Sequence, residues 1–167
     1  MKYRVNDTVM HGMQGVFIIE EIADKEFNGT KSLYYVLKNV ENERSTVFVP
    51  VNSEAATDKM RRVLSTGEVY SLIKNMPNID ADWIENDRER RERFKQIIFK
   101  GNSTELVKLI KSLYERRRLQ KEKGKRLNTT DERFMKDAEK VLYEEIAHVM
   151  DISTEEVLPF IKRQLAH

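Results

Sequence analysis

The spacing of apolar residues changes character once in this chain, near residue 65, and that change restricts the fold to a β module followed by a helical one. Before it, Gly15-Val16-Phe17-Ile18-Ile19-Glu20-Glu21-Ile22, Leu33-Tyr34-Tyr35-Val36-Leu37 and Thr46-Val47-Phe48-Val49-Pro50 are short runs of β-branched and aromatic residues with little helical periodicity. Phe27-Asn28-Gly29-Thr30 reads as the turn between the first two runs, because Gly29 tolerates positive φ. The polar stretch from Asn39 to Ser45 forms the next hairpin loop, and Pro50, which lacks an N–H, ends the third run. Several short strands in so few residues predict a small barrel or strongly bent sheet.

After the change, the apolar residues recur at helical spacing between capping signals. Ser65 and Glu68 form a capping box opening a helix with Val69, Leu72, Ile73 and Met76 on one face, with Pro77 after its end. A long charged helix then runs to Lys100, with Phe94, Ile97 and Ile98 as its apolar stripe and Gly101 as its stop. Asn102 and Glu105 cap a helix whose buried face is Leu106, Leu109, Ile110 and Leu113, with a break near Gly124. Thr129 with Glu132 reads as the next capping box, followed by Phe134, Ala138, Val141, Leu142, Glu145 and Val149. A last helix starts near Ser153, kinked or delayed by Pro159. The expectation is an α+β chain in two domains, residues 1–64 forming the β module and 65–167 an all-helical domain of four to five helices.

Charge is segregated along the chain although the total is only +2. Residues 1–64 carry nine basic and nine acidic side chains, whereas residues 88–126 carry fifteen basic and five acidic ones, a local excess of +10. Such a block is what a polyanion requires, and it is equally what two solvated helices would carry. The three histidines are far apart, and with no cysteine there is no ligand spacing for a metal and no disulfide. No nucleophile–base arrangement, phosphate loop or cofactor motif is present, so the chain does not read as an enzyme and no cofactor is expected. The N-terminus lacks an apolar signal segment and no apolar run is long enough to span a membrane, so a cytoplasmic location is expected.

Against this background, Tyr3-Arg4-Val5-Asn6-Asp7-Thr8-Val9, Gly15-Val16, Tyr35-Val36-Leu37, Val47-Phe48-Val49-Pro50 and Met60-Arg61-Arg62-Val63 resemble one known domain. It is the RNA-polymerase-interacting domain shared by CarD/CdnL proteins and the transcription-repair coupling factor. Trp83, the helix ending at Gly101-Asn102, Val107 to Leu113, and Thr130 to Ala138 resemble the helical C-terminal domain of the CarD/CdnL family. The resemblance implies a Tudor-like β module that docks on the polymerase β subunit, with Lys25, Phe27, Val47, Phe48 and Val49 as its candidate contacts. It further implies that the helical domain touches promoter DNA at the upstream edge of the transcription bubble, largely independently of sequence, and stabilises open complexes. Trp83 would be the wedge at that junction.

Candidate phosphate contacts are Arg88, Arg90, Arg91, Arg93 and Lys95, with Arg116, Arg117 and Arg118 as a second cluster. On one helix the first five cannot all point the same way. Trp83, the only tryptophan, reads either as this wedge or as a partly buried core residue. A stand-alone nucleic-acid binder is the alternative to a polymerase partner, and the neutral β module argues for a protein-facing role instead. A Tudor-type peptide reader would need convergent Tyr34, Tyr35 and Phe48 rings. A monomer is expected.

Overall fold

The computed structural model describes residues 1–166. They form two compact units, Met1–Val63 and the part of the chain from Leu64 onward. The class is α+β, an antiparallel sheet followed by helices.

The first unit is a five-stranded antiparallel sheet of β1 (Thr8–His11), β2 (Val16–Phe27), β3 (Thr30–Asn39), β4 (Thr46–Pro50) and β5 (Met60–Arg62), in the order β4-β3-β2-β1-β5. A one-turn helix, α1 (Glu54–Thr57), connects the last two strands. The turn at Asn28-Gly29 is where the sequence puts it. Phe27 pairs with Thr30, and Asn28 and Gly29 have φ of 52° and 79°, the two positive values of a two-residue type I′ hairpin. Strands β2 and β3 extend well beyond the apolar runs that mark them, because their far halves carry charged residues that only cross-strand pairing keeps extended. Between Ile19 and Glu21 the register shifts by a bulge, which bends the long hairpin. Strands β1 and β5 are too short to show as periodic runs, and their pairing is long-range.

The core of this unit gathers Tyr3, Val9, Phe17, Ile19, Tyr35, Leu37, Val49 and Met60 on one side of the sheet. Tyr3 knits it together. Its hydroxyl donates to the Met60 carbonyl at 3.1 Å, its ring meets Tyr35 edge-on, and its N–H donates to the Tyr35 hydroxyl at 3.3 Å.

The second unit contains α2 (Thr66–Asn75), α3 (Asp87–Lys100), α4 (Ser103–Glu122), α5 (Thr129–Met150) and α6 (Thr154–Leu165). Helix α5 is its axis and packs against the other four. The Ser65–Glu68 capping box, the Asn102 cap and the left-handed Gly101 stop at φ 68° are as read from the sequence. The structure supplies the start of α3 and differs from the sequence reading at α5 and α6. Helix α3 begins only at Asp87, where Asn86 caps it by accepting from the Glu89 N–H, so residues 79–86 and Trp83 with them lie in a connecting segment. The cap of α5 is Asn128 rather than Thr129, with its side-chain oxygen 2.8 Å from the Asp131 N–H. Pro159 lies inside α6 as a single uninterrupted element, neither delaying nor dividing it. The buried carboxylate of Glu145 accepts from the Leu64 N–H at 2.9 Å and fixes the chain's entry into this unit.

Candidate functional site

In the β unit, strand alternation sorts the five candidate polymerase contacts. Val49 is 2% exposed within the core and half-buried Val47 packs against the same core, so the side chains of these two candidates face inward. Phe48 pairs with Val36 and points to the other face, as does Phe27 at the end of the hairpin. Phe27 and Phe48 are 42% and 41% exposed, and their rings meet edge-to-face at 5.3 Å. Tyr34 completes the cluster, 5.1 Å from Phe27 and 6.5 Å from Phe48. Lys25 lies on the same face, paired with Glu21 at 2.9 Å in an exposed ion pair. The rings therefore converge, although Tyr35 is not among them, being buried on the core side. They pack edge-to-face on one another. Strand β4, which carries Phe48, is an edge of the sheet.

In the helical unit, rotation of about 100° per residue sorts the basic residues of α3. Arg88, Arg91 and Lys95, spaced i, i+3 and i+7, share a flank; Arg88 and Lys95 are exposed and Arg91 is half-buried. The Nε of Arg91 is shielded without a partner, so its outward hydrogen-bonding capacity rests on the terminal nitrogens. Arg93 points elsewhere and pairs with Glu105 of α4 at 3.2 Å.

Arg90 points inward and is 2% exposed, so its assignment as a phosphate contact is corrected. Its Nε and Nη2 grip both oxygens of Asp131 at 3.3 and 2.9 Å, its Nη2 also meets Asp87 at 2.9 Å, and its Nη1 donates to the Ile84 carbonyl at 3.0 Å. Burial works against the charge on this guanidinium, and the bonds to Asp131 and Asp87 outweigh it, raising its pKa above the ordinary value. The periodicity held the signal: Arg90 precedes Phe94 by four residues and Ile97 by seven, on the buried stripe.

Trp83 is half-buried. Its ring lies under two cations, the Cζ of Arg90 4.4 Å and that of Arg116 5.1 Å from the ring centroid. Arginines of α3 and α4, far apart in sequence, thus both lie against the ring of the only tryptophan. Of the other two arginines of the α4 cluster, Arg117 lies over the Tyr114 ring at 4.6 Å, and Arg118 is held by Glu115 and Glu122 at 2.6 and 2.7 Å in exposed pairs that exchange readily with solvent. Beside them, burial raises the Glu139 carboxyl above its usual range, although its bond to Tyr114 and the charge of Arg117 oppose this. Sequence reasoning missed Asp131 and Lys111. The Nζ of Lys111 donates to the Met76 and Ile79 carbonyls, at 2.8 Å for the former, and so anchors the start of the Trp83 segment. Among the described residues no acidic or histidine cluster fits a metal ion, and no helix is long and apolar enough to cross a membrane.

Residues 3–64 match the family model of the CarD-like/TRCF RID domain. Over residues 3–64 the chain is thus similar to that domain. Among curated proteins it is similar to one from Bacillus subtilis (strain 168) named "Putative transcription factor YdeB", with 23% identity over 158 residues, 95% of this chain and 99% of that protein.

Proposed function

We propose that this protein regulates transcription by binding RNA polymerase through its β unit and promoter DNA through its helical unit. The polymerase surface is the outer face of the sheet at Lys25, Phe27 and Phe48, joined by Tyr34, beside the edge strand β4. Exposed aromatics next to an unpaired strand edge suit docking on another protein's β structure, and the β subunit is the partner implied by the family resemblance. The DNA surface is Trp83 with Arg88, Arg91, Lys95 and the arginines of α4. At the upstream edge of the bubble the indole stacks on the unpaired junction while the basic side chains contact phosphates without reading sequence.

The observation that carries this reading is the contact of both Arg90 and Arg116 with a half-buried Trp83, in a unit that follows a match to the CarD-like/TRCF RID domain. A base–aromatic stack contributes roughly 1–3 kcal/mol. Trp83→Ala is therefore expected to shorten the lifetime of open promoter complexes several-fold while capture of the polymerase β subunit by the full chain is retained. Phe27→Glu with Phe48→Glu is expected to do the reverse, abolishing capture but sparing the chain's weak binding to free DNA. A wild-type lifetime for Trp83→Ala would refute the wedge. Undiminished DNA effects in a chain that cannot capture polymerase would favour a stand-alone nucleic-acid binder.

A further inference from the structure

The indole of Trp83 leaves the chain from a segment, residues 79–86, that has no helix or strand to hold it. A side chain meant to meet a nucleic-acid junction in one orientation needs that orientation fixed beforehand, because groups held on rigid support lose less freedom on binding. The support here is Arg90. All three of its nitrogens donate within its own plane, to Asp131, Asp87 and the Ile84 carbonyl. Its Cζ lies over the indole, 4.4 Å from the Trp83 ring centroid. The bond to Ile84 also ties down the residue that follows the tryptophan.

Asp131 is itself held. It is 1% exposed, its oxygen Oδ2 accepts from Asn128 Nδ2 at 2.8 Å, and its backbone N–H donates to Asn128 Oδ1 at 2.8 Å. A continuous series of contacts therefore runs from the N-terminus of α5 through Asn128, Asp131 and Arg90 to the indole.

Stability alone is a weak reason for such a pair, since buried ion pairs are often replaced by apolar residues without loss. Orientation is a better reason, and it specifies arginine. Lysine could keep the charge near Asp131, but it has neither the planar fork nor a face on which a ring can lie. Resting on the reading of Trp83 as the DNA contact, we infer that Arg90, locked by Asp131, is a positioning residue that presets the Trp83 ring for stacking.

The test uses the full chain, in which Trp83 is the only tryptophan, so that intrinsic fluorescence reports on this ring alone. In Arg90→Lys, acrylamide quenching of the free protein is expected to rise and fluorescence anisotropy to fall, with the open-complex lifetime moving several-fold toward that of Trp83→Ala. Adding Arg90→Lys to Trp83→Ala should shorten the lifetime no further, because without the ring there is nothing to position. A merely structural role would shorten it again in that background. Should Arg90→Lys not fold, Arg90→Met with Asp131→Leu replaces the pair by apolar residues of similar size, and the same readouts apply. A folded variant with wild-type quenching and lifetime overturns the inference. Failure of the underlying reading looks different: Trp83→Ala would then leave the lifetime unchanged whatever Arg90→Lys does to the fluorescence.

Discussion

Arg88 and Arg90 stand two positions apart in one basic run, and the structure gives them opposite tasks. A turn of about 200° separates their directions, so Arg88 faces solvent while Arg90 lies against Asp131 in the interior. Removing one partner of a buried pair leaves an uncompensated charge, a loss of about 3–5 kcal/mol, whereas an exposed side chain changes stability by about 0.5 kcal/mol or less. Asp131→Ala should accordingly lower the urea midpoint of the helical unit's unfolding sharply, and Arg88→Ala should leave it in place. Equal midpoints for the two variants would mean that the Arg90–Asp131 pair does not hold the unit together. The stripe position of Arg90 was legible from its spacing to Phe94 and Ile97. Its partner was not, because forty-one residues of chain separate Arg90 from Asp131 and no local pattern encodes that meeting. The same holds for the aromatic face of the sheet: alternation places Phe48 opposite Val47 and Val49, but only the register of β2 on β3 and of β3 on β4 brings Phe27, Tyr34 and Phe48 together.

At the scale of the element, helix starts are legible where one capping signal stands alone and misplaced where two compete. Ser65 with Glu68 and Asn102 with Glu105 each stand alone, and both cap where expected. At α5, Thr129 with Glu132 mimics a capping box one residue inside the true cap, Asn128. At α3, Asn86 lies among acidic residues that hide it, so the sequence does not mark where that helix starts. Strands β1 and β5, at four and three residues, lie at and below the shortest length over which alternation can be recognised. The Asn86 and Asn128 caps are not energetically equal. Loss of a cap costs about 1 kcal/mol, and this is the expected effect of Asn86→Ala. Asn128→Ala removes in addition the bond that steadies buried Asp131, so its loss should be clearly larger, read as the lower urea midpoint of the two full-length variants. Matching midpoints would show that Asp131 keeps its place without Asn128.

Over the whole molecule, the charge profile marks the unit proposed to meet a polyanion, and the structure sorts that block into particular side chains. The excess of +10 over residues 88–126 is a sum over positions of unlike fate. Arg90 is spent inside the fold, Arg93 pairs with Glu105, and Arg88, Arg91 and Lys95 form one flank. Binding to duplex DNA releases about 0.9 counterions for each phosphate neutralised, so the slope of log affinity against log salt reports how many phosphates the protein neutralises. Replacing Arg88, Arg91 and Lys95 together by glutamine is expected to reduce that slope by about 0.9 for each phosphate left without a cation, with the unfolding of the helical unit little changed. Glutamine at Arg116, Arg117 and Arg118 is expected to reduce it too, because the pairs of Arg118 with Glu115 and Glu122 are exposed and give way to phosphate. Arg93→Gln, a single change that lies off the flank of Arg88, Arg91 and Lys95, should alter the slope least. Affinity measured by fluorescence anisotropy of a labelled duplex across a salt series decides among these. A slope unmoved by the α3 triple variant would remove that flank from the DNA surface, and a slope carried wholly by Arg93 would reverse the orientation of α3 on DNA.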